Sequence, residues 1–368
     1  MNVLIDIRSL LDKPYTGVAQ YTLNFLNEVL ERDKENNYFL FYNSAKIRNR
    51  NLPIFNYPNV KIIGFHWPNK IFNFCLIFLK WPKIDKLVEK KTGKKIDQIF
   101  LPNFNFVAFS RNKKIDLVVH DLSFEIYPHF FTWRQRLWHK LVKPIELCQR
   151  ASKIITHSEN TKNDIIDFYK IDSTQIEVKK PAITRKFFQP IDEKEKIRVK
   201  QKYSLPDDFL LYLGNLEPRK NLDTLIRAFA QLLVSVQGGS DDTKNYENKN
   251  GERDSLFNIK LVIAGTGRQS KKLKKLAKSL EVGEQVEFLG YVPEEDKQAL
   301  YHLAELFVYP SFYEGYGYPV AEASACGLPV ITSHTSSLTE IGGEDITLIN
   351  PHDINDLVEA IKATRNLD

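Results

Sequence analysis

Apolar positions along the chain follow two patterns, short continuous runs and spacings of three and four. Residues 2–7 form a short, mainly apolar run, which predicts a buried strand. A polar turn with Pro14 and Gly17 follows. Val18, Tyr21, Phe25 and Val29 then recur at helical spacing, with Gln20, Asn24, Asn27 and Glu28 on the polar side. Further strands are predicted over 38–42, 60–64, 96–101, 115–120, 153–156 and 176–178. Ser158, with Thr161 nearby, opens a helix carrying Ile165, Ile166 and Phe168. The charged stretch 182–206, with Pro190 and Pro206, reads as a hinge. The pattern then restarts, with strands over 209–213, 259–264, 286–289, 306–309 and 330–332. Helices are predicted over 222–236, 271–280, 319–326 and 354–364. The polar stretch 237–258 reads as a disordered surface insertion.

Strand–helix alternation on both sides of a hinge implies two parallel sheets, each covered on both faces. The expected fold is α/β, two Rossmann-like doubly wound domains, 1–190 and 191–368, facing across a cleft. Ligands bind such sheets at the carboxyl ends of the strands. The length of 368 residues fits two ordinary domains, and 43% apolar residues supply two cores. Charged residues at 27% exclude a disordered tail and a membrane bundle. There is no long uncharged apolar run, and Asp6 sits where a signal peptide would need basic and then apolar residues. Cys75, Cys148 and Cys326 are too scattered for a disulfide framework or a zinc site. A cytoplasmic protein is expected.

The net charge of +6 hides a split. Residues 1–190 hold 31 Lys and Arg against 18 Asp and Glu, and residues 191–368 hold 21 against 28, so the halves carry +13 and −7. Either each half has its own solubility charge, or the basic half meets an anionic surface or substrate.

Several chemistries have no motif here. There is no P-loop, no H-E-x-x-H, no C-x-x-C and no G-x-S-x-G. Gly265-Thr266-Gly267 follows a strand but has no third glycine, since Ser270 stands there. Three constellations remain. Glu314 and Glu322 stand eight apart across Gly315-Tyr316-Gly317 and a helix start near Pro319. Open backbone N–H groups and the helix dipole suit an anion there, and Glu322 can accept bonds from paired hydroxyls such as a ribose. The bland alternative is a loop acid and a dipole-favouring acid. Arg219 and Lys220 sit in the turn that begins at Gly214, just before a helix. A guanidinium fork and a point charge suit a diphosphate, whereas cations kept for solubility would oppose the dipole there. His120-Asp121 ends a strand, where an imidazole can bond a substrate hydroxyl or relay a proton, although a lone histidine is usually structural.

Together these pieces resemble glycosyltransferase family 4, retaining nucleotide-sugar enzymes of the GT-B fold, and within it bacterial mannosyltransferases of polysaccharide assembly. Asp6-Ile-Arg8 with Thr16-Gly17, Val118-Val-His120-Asp121 and Thr156-His157-Ser158 are similar to its acceptor-domain motifs. The resemblance implies that Arg219 and Lys220 hold the donor diphosphate and stabilise the departing nucleotide. It implies that Glu322 binds the ribose and Glu314 the transferred sugar, beside the backbone of Gly315, Tyr316 and Gly317. His120 would position the sugar, Gly17 would let the backbone approach the phosphate, and Gly214 and Gly265 would line the donor site. The implied reaction moves a hexosyl unit, mannosyl favoured, from a GDP- or UDP-sugar to an acceptor hydroxyl. No metal and no cofactor are expected.

Two departures stand out. Asn215 occupies a position where many members carry arginine, and Arg219 is the candidate to replace it. Members usually continue past the last helix into a segment crossing back onto the first domain, whereas this chain stops at Asp368. The acceptor is expected to be a saccharide or a lipid-linked one. The apolar stretch 71–82, followed by Lys83, Lys86, Lys90, Lys91, Lys94 and Lys95, suggests peripheral contact with an anionic membrane. A core helix with a solvated lysine face explains it equally. Other functions the pattern allows are a GT-B epimerase or phosphorylase and a non-catalytic nucleotide-sugar binder. Nucleic-acid binding is not expected, because no recognised module is present.

Overall fold

The computed structural model describes residues 1–11, 15–45, 52–238, 259–343 and 345–365. Pro14, and the expected insertion 237–258 beyond the end of the helix Leu222–Gly238, lie outside the described residues. The chain divides into two units, Met1–Pro181 and Ala182–Asp368.

The first unit is built on seven parallel strands, β1 (Asn2–Asp6), β2 (Asn37–Asn43), β3 (Val60–Phe65), β4 (Gln98–Leu101), β5 (Lys114–Val118), β6 (Lys153–Thr156) and β7 (Ile176–Val178). Their order is β3-β2-β1-β4-β5-β6-β7, so the sheet winds outward in both directions from β1 and β4. The run at β1 is continuous because both faces are covered. Leu4 enters a core with Phe39 and Phe41 on one face, while Val3 and Ile5 enter a second core with Tyr38 and Leu40 on the other.

The helix Gly17–Arg32 lies on that second core, with Thr16 accepting a bond from the Ala19 N–H at its start. Its fully buried stripe is Ala19, Thr22, Leu26 and Leu30. The expected stripe of Val18, Tyr21, Phe25 and Val29 lies beside it, half-buried. The small side chains of Ala19 and Thr22 let the backbone approach the sheet, which a count of large apolar residues does not register.

The second unit carries β8 (Phe209–Leu213), β9 (Lys260–Ala264), β10 (Val286–Gly290), β11 (Leu306–Tyr309), β12 (Val330–Ser333) and β13 (Ile346–Ile349). All six are parallel, in the order β10-β9-β8-β11-β12-β13. β13 is an edge strand with two exposed residues, and the sequence pattern did not predict it. β8 is buried throughout, so its five residues read as one apolar run.

The stretch 182–206, expected as a hinge, falls within the second unit. It carries the helix Glu193–Tyr203 and packs on the second unit, which moves the unit boundary from 190/191 to 181/182. Phe187 is buried in the second core, and Lys186 Nζ donates to the Glu294 carbonyl at 2.6 Å. The main anchor is Asp296, fully buried, which accepts from Arg198 Nη2 (2.7 Å), Lys202 Nζ (2.6 Å) and the Tyr203 hydroxyl (2.7 Å). Few apolar residues point inward from this helix, so charge convergence replaces the periodicity that sequence reading depends on.

Asp296→Ala is therefore expected to destabilise the second unit by about 2–3 kcal/mol, since three bonds to a buried carboxylate vanish together. Asp207→Ala, which removes the exposed pair with Lys200, should leave the unfolding midpoint nearly unchanged. Urea unfolding of both variants checks the contrast, and equal losses would contradict the anchor role.

Candidate functional site

In the second unit β8 runs into a turn at Gly214, then into the 3-10 turn Pro218–Lys220 and the helix Leu222–Gly238. Asn221 makes the junction in a left-handed conformation, its amide donating to the Pro351 carbonyl at 2.7 Å. The loop after β11 is stitched to this turn. Phe312 N–H donates to the Arg219 carbonyl at 2.9 Å, and the Ser311 hydroxyl to the same carbonyl at 3.1 Å. This pairing brings Arg219, Lys220 and Glu314 together.

Lys220 Nζ donates to Glu314 Oε1 at 2.5 Å and to the Tyr309 hydroxyl at 2.7 Å. Arg219 Nη1 donates to Glu314 Oε2 at 3.0 Å and also to the Tyr313 carbonyl. The Ser311 hydroxyl completes the shell of Glu314 Oε1 at 2.6 Å. Two cations thus share one carboxylate, with the Glu217 carboxylate also acting on Lys220. Burial works to raise the Glu314 pKa, but Arg219 and Lys220 outweigh it and hold the group at about 2. Burial, with Arg219 beside it, lowers the Lys220 pKa despite Glu314. Such a cluster can bind a phosphoryl anion, and both carboxylate oxygens of Glu314 are already engaged by this chain.

The glycine turns lie alongside. Gly265, with φ +143°, approaches the turn after β8 so closely that a Cβ would fall 1.8 Å from the Gly214 carbonyl oxygen. Gly315 and Tyr316 lead to Gly317, whose φ of +97° precedes the eight-residue helix Tyr318–Ala325. Glu322 stands on that helix, buried, and belongs to a separate group. It accepts from the Tyr301 hydroxyl at 3.0 Å and lies 3.6 Å from Lys297 Nζ. Burial raises its pKa, while Glu322 and Glu294 raise that of Lys297 against burial. Tyr301 and Lys297 were not singled out from the sequence. They lie on the helix Lys297–Leu303, which carries no motif.

The other candidates belong to the first unit. Gly17 opens its helix, and a Cβ there would meet nothing within 4 Å. His120 lies two residues beyond β5, its ring against Tyr21 at 5.1 Å and His157 at 5.1 Å. The Tyr21 and His157 rings close the triangle at 4.6 Å. His120 Nε2 bonds the Pro102 carbonyl at 2.8 Å and His157 Nδ1 bonds the Lys179 carbonyl at 3.2 Å. A carbonyl only accepts, so each of these nitrogens carries its proton, leaving His120 Nδ1 and His157 Nε2 as acceptors. His157 Nε2 is buried and meets no partner among the described residues. Burial lowers the pKa of both rings, that of His157 to about 3 with His120 adding to the effect. His157 and Tyr21 enter the site through structure. The sequence signals were the Thr156-His157-Ser158 motif, which precedes a helix capped by Ser158, and the helical spacing that carries Tyr21 just after Thr16-Gly17. Among the described residues no group of three or more His, Cys, Asp or Glu side chains is placed to hold a metal ion.

Two titrations follow. The folded pKa of Glu314 lies below its ordinary 4.5, so its contribution is present above about pH 4.5 and is lost as pH falls towards 2. Glu314→Gln should be less stable at neutral pH by on the order of 2–4 kcal/mol and lose less on acidification, read by urea unfolding at a series of pH values. His157 is also depressed, from 6.5, so the first unit should lose stability as pH falls from 6.5 towards 3. His157→Phe should flatten part of that loss, the remainder coming from His120 and His139, which burial also lowers, and at the acid end from carboxylates such as Glu89, which Lys113 and Lys86 hold ionised. An unchanged pH profile would contradict a neutral, buried His157.

Residues 193–366 match the family of glycosyl transferases group 1. The serotype-specific mannosyltransferase WbdA of Escherichia coli is 32% identical over 211 residues, 57% of this chain and 24% of that protein. The O-antigen chain mannosyltransferase B of Escherichia coli is 30% identical over 253 residues, 68% of this chain and 61% of that protein. The chain thus spans less than two thirds of the length of these relatives. The Anabaena protein HepE, solved with UDP and glucose, superposes with a TM-score of 0.65 over 99% of this chain and 89% of its own, at 16% identity. At that identity the match carries the fold, which is GT-B.

Proposed function

The segment 193–366 belongs to the glycosyl transferases group 1, and on that premise we propose that the chain is a retaining hexosyltransferase. It moves a mannosyl unit from a GDP- or UDP-sugar to an acceptor hydroxyl of a growing polysaccharide or glycolipid, in the cytoplasm. The observation that carries the reading is the buried Arg219–Lys220–Glu314 cluster, in which two cations converge on one carboxylate. The mannosyl preference rests on the two Escherichia coli relatives and on nothing in the site.

In this reading Arg219 and Lys220 bind the donor diphosphate beside the backbone of Gly214 and Gly265. The bond from the sugar C1 to the phosphate oxygen breaks, and the electron pair leaves with the nucleoside diphosphate. The two cations stabilise that charge where it develops, in a site of low dielectric. The new bond forms from the acceptor oxygen to C1 on the same face, and the acceptor proton passes to the leaving phosphate. Glu314 holds the two cations and reaches the sugar, with Gly315, Tyr316 and Gly317 presenting backbone N–H groups. Glu322, held by Tyr301, accepts bonds from the ribose hydroxyls. In the first unit, taken by itself, His120 keeps Nδ1 as an acceptor for a substrate hydroxyl. With two side-chain cations on the diphosphate, the reaction needs no metal or cofactor.

A thermal-shift series with GDP-, UDP- and ADP-sugars tests the donor site. A donor at a hundred times its Kd stabilises by about 2.7 kcal/mol, which raises Tm by roughly 5–10 °C for a unit of this size. No shift with any of them would undercut the reading. Lys220→Ala and Arg219→Ala should each lower kcat/KM by roughly 10²–10³-fold. An unchanged kcat/KM in Arg219→Ala would remove it from the phosphate site. Addition of EDTA should leave the rate of the native chain unchanged.

A further inference from the structure

Five large apolar side chains lie exposed within eleven residues of the first unit. Ile71, Phe74, Phe78, Leu79 and Trp81 are each between 54% and 60% exposed. They sit on the helix Asn69–Phe74, the π-helical turn Cys75–Leu79 that continues it, and the residue beyond Lys80. Ile71, Phe74 and Phe78 are spaced by three and four and share one face, and the Phe74 and Phe78 rings touch at 4.9 Å. The opposite face is apolar as well. Phe72 and Leu76 are buried in the core with Phe41. A surface helix of a water-soluble protein keeps one apolar face, for its core. This one has two, and its own unit covers only one of them.

The ends of the segment say what covers the other. Lys70 and Lys80 flank it, both exposed, and Lys83, Lys86 and Lys90 follow. Phenylalanine, leucine and tryptophan between lysines suit the boundary of an anionic bilayer, where rings sit at headgroup depth and lysine tails reach up to the phosphates. A second copy of the chain fits less well. A two-fold contact through this face would set each lysine rim against its own copy, with the charges unpaired. We propose that residues 69–81 form a membrane-docking element that inserts its outer face shallowly into anionic lipid. It is too short to cross the bilayer, and no described helix is long and apolar enough to do so.

This proposal does not rest on the transferase reading, because its test needs neither donor nor acceptor. The full chain is floated on sucrose gradients with vesicles of phosphatidylcholine alone, and with phosphatidylglycerol added at about one lipid in three. The native chain should float with the anionic vesicles, with Trp81 fluorescence shifting to the blue. Phe74→Ser/Phe78→Ser/Trp81→Ser should lose at least about tenfold in partitioning, and Phe74→Ser/Phe78→Ser, which keeps the Trp81–Trp67 ring contact at 5.7 Å, should lose partitioning with an unchanged Tm. Lys70→Gln/Lys80→Asn should lose only the dependence on anionic lipid. Absence of flotation on either vesicle, or equal flotation of the triple serine variant, would overturn the proposal. So would sedimentation equilibrium showing a native dimer that the triple serine variant turns into a monomer, because the face would then belong to a second copy.

Discussion

Burying the Lys220 ammonium is the constraint from which the candidate site of the second unit follows. Taking an ammonium out of water costs several kcal/mol, and only a close partner offsets it. Glu314 supplies the charge and Tyr309 the hydrogen-bond acceptor. These partners come from β11 and the loop after it, whereas Lys220 comes from the turn after β8, so the ion pair ties the ends of two adjacent strands. The backbone contacts from Ser311 and Phe312 to the Arg219 carbonyl repeat the tie. Arg219 then occupies the second oxygen of Glu314, so two cations converge on one carboxylate. A site made this way is set before any ligand arrives, which is what preorganised electrostatic stabilisation requires.

The two acids of the Glu-x7-Glu spacing solve different problems. Glu314 lies in a loop, surrounded by donors, and is held ionised. Glu322 lies on a helix whose partners are a phenol and a lysine at 3.6 Å, and burial pulls its pKa up. One carboxylate already accepts from three side chains of its own chain, while the other has fewer and weaker protein partners. The glycine between them at 317 bends the backbone into the left-handed region, so the helix carrying Glu322 starts where the loop carrying Glu314 ends. The spacing of eight is the length of that loop plus a turn of helix.

Much of this was legible because buried parallel strands leave continuous apolar runs. β8, β11 and β12 match their expected spans within a residue, and so do most strands of the first unit. Arg219, Lys220 and Glu314 were also legible, since charges in turns between such strands stand out. What escaped notice was held by other forces. The helix Glu193–Tyr203 is anchored through Asp296 by cations and a phenol, so it carried no apolar period and read as a hinge. β13 is a half-exposed edge. The buried stripe of the first helix passes through Ala19 and Thr22, whose small size a search for large residues overlooks. His157 pairs through a backbone carbonyl and a ring contact, neither of which has a spacing to find.

Charge illustrates the same difference between sum and place. Moving Arg185 and Lys186 across the observed boundary changes the halves from +13 and −7 to +11 and −5. The unit with the cationic cluster is thus acidic overall, and at long range its net charge repels an anion. Screening limits that repulsion to about 8 Å at physiological ionic strength. Inside that distance the field belongs to Arg219 and Lys220, and their burial lowers the local dielectric and raises their effect on a bound anion. Lysines spread over the surface would have drawn in any polyanion, whereas two buried cations act only on a group that fits between the strand ends. The acidic remainder therefore works against non-specific anions, and selectivity is left to geometry.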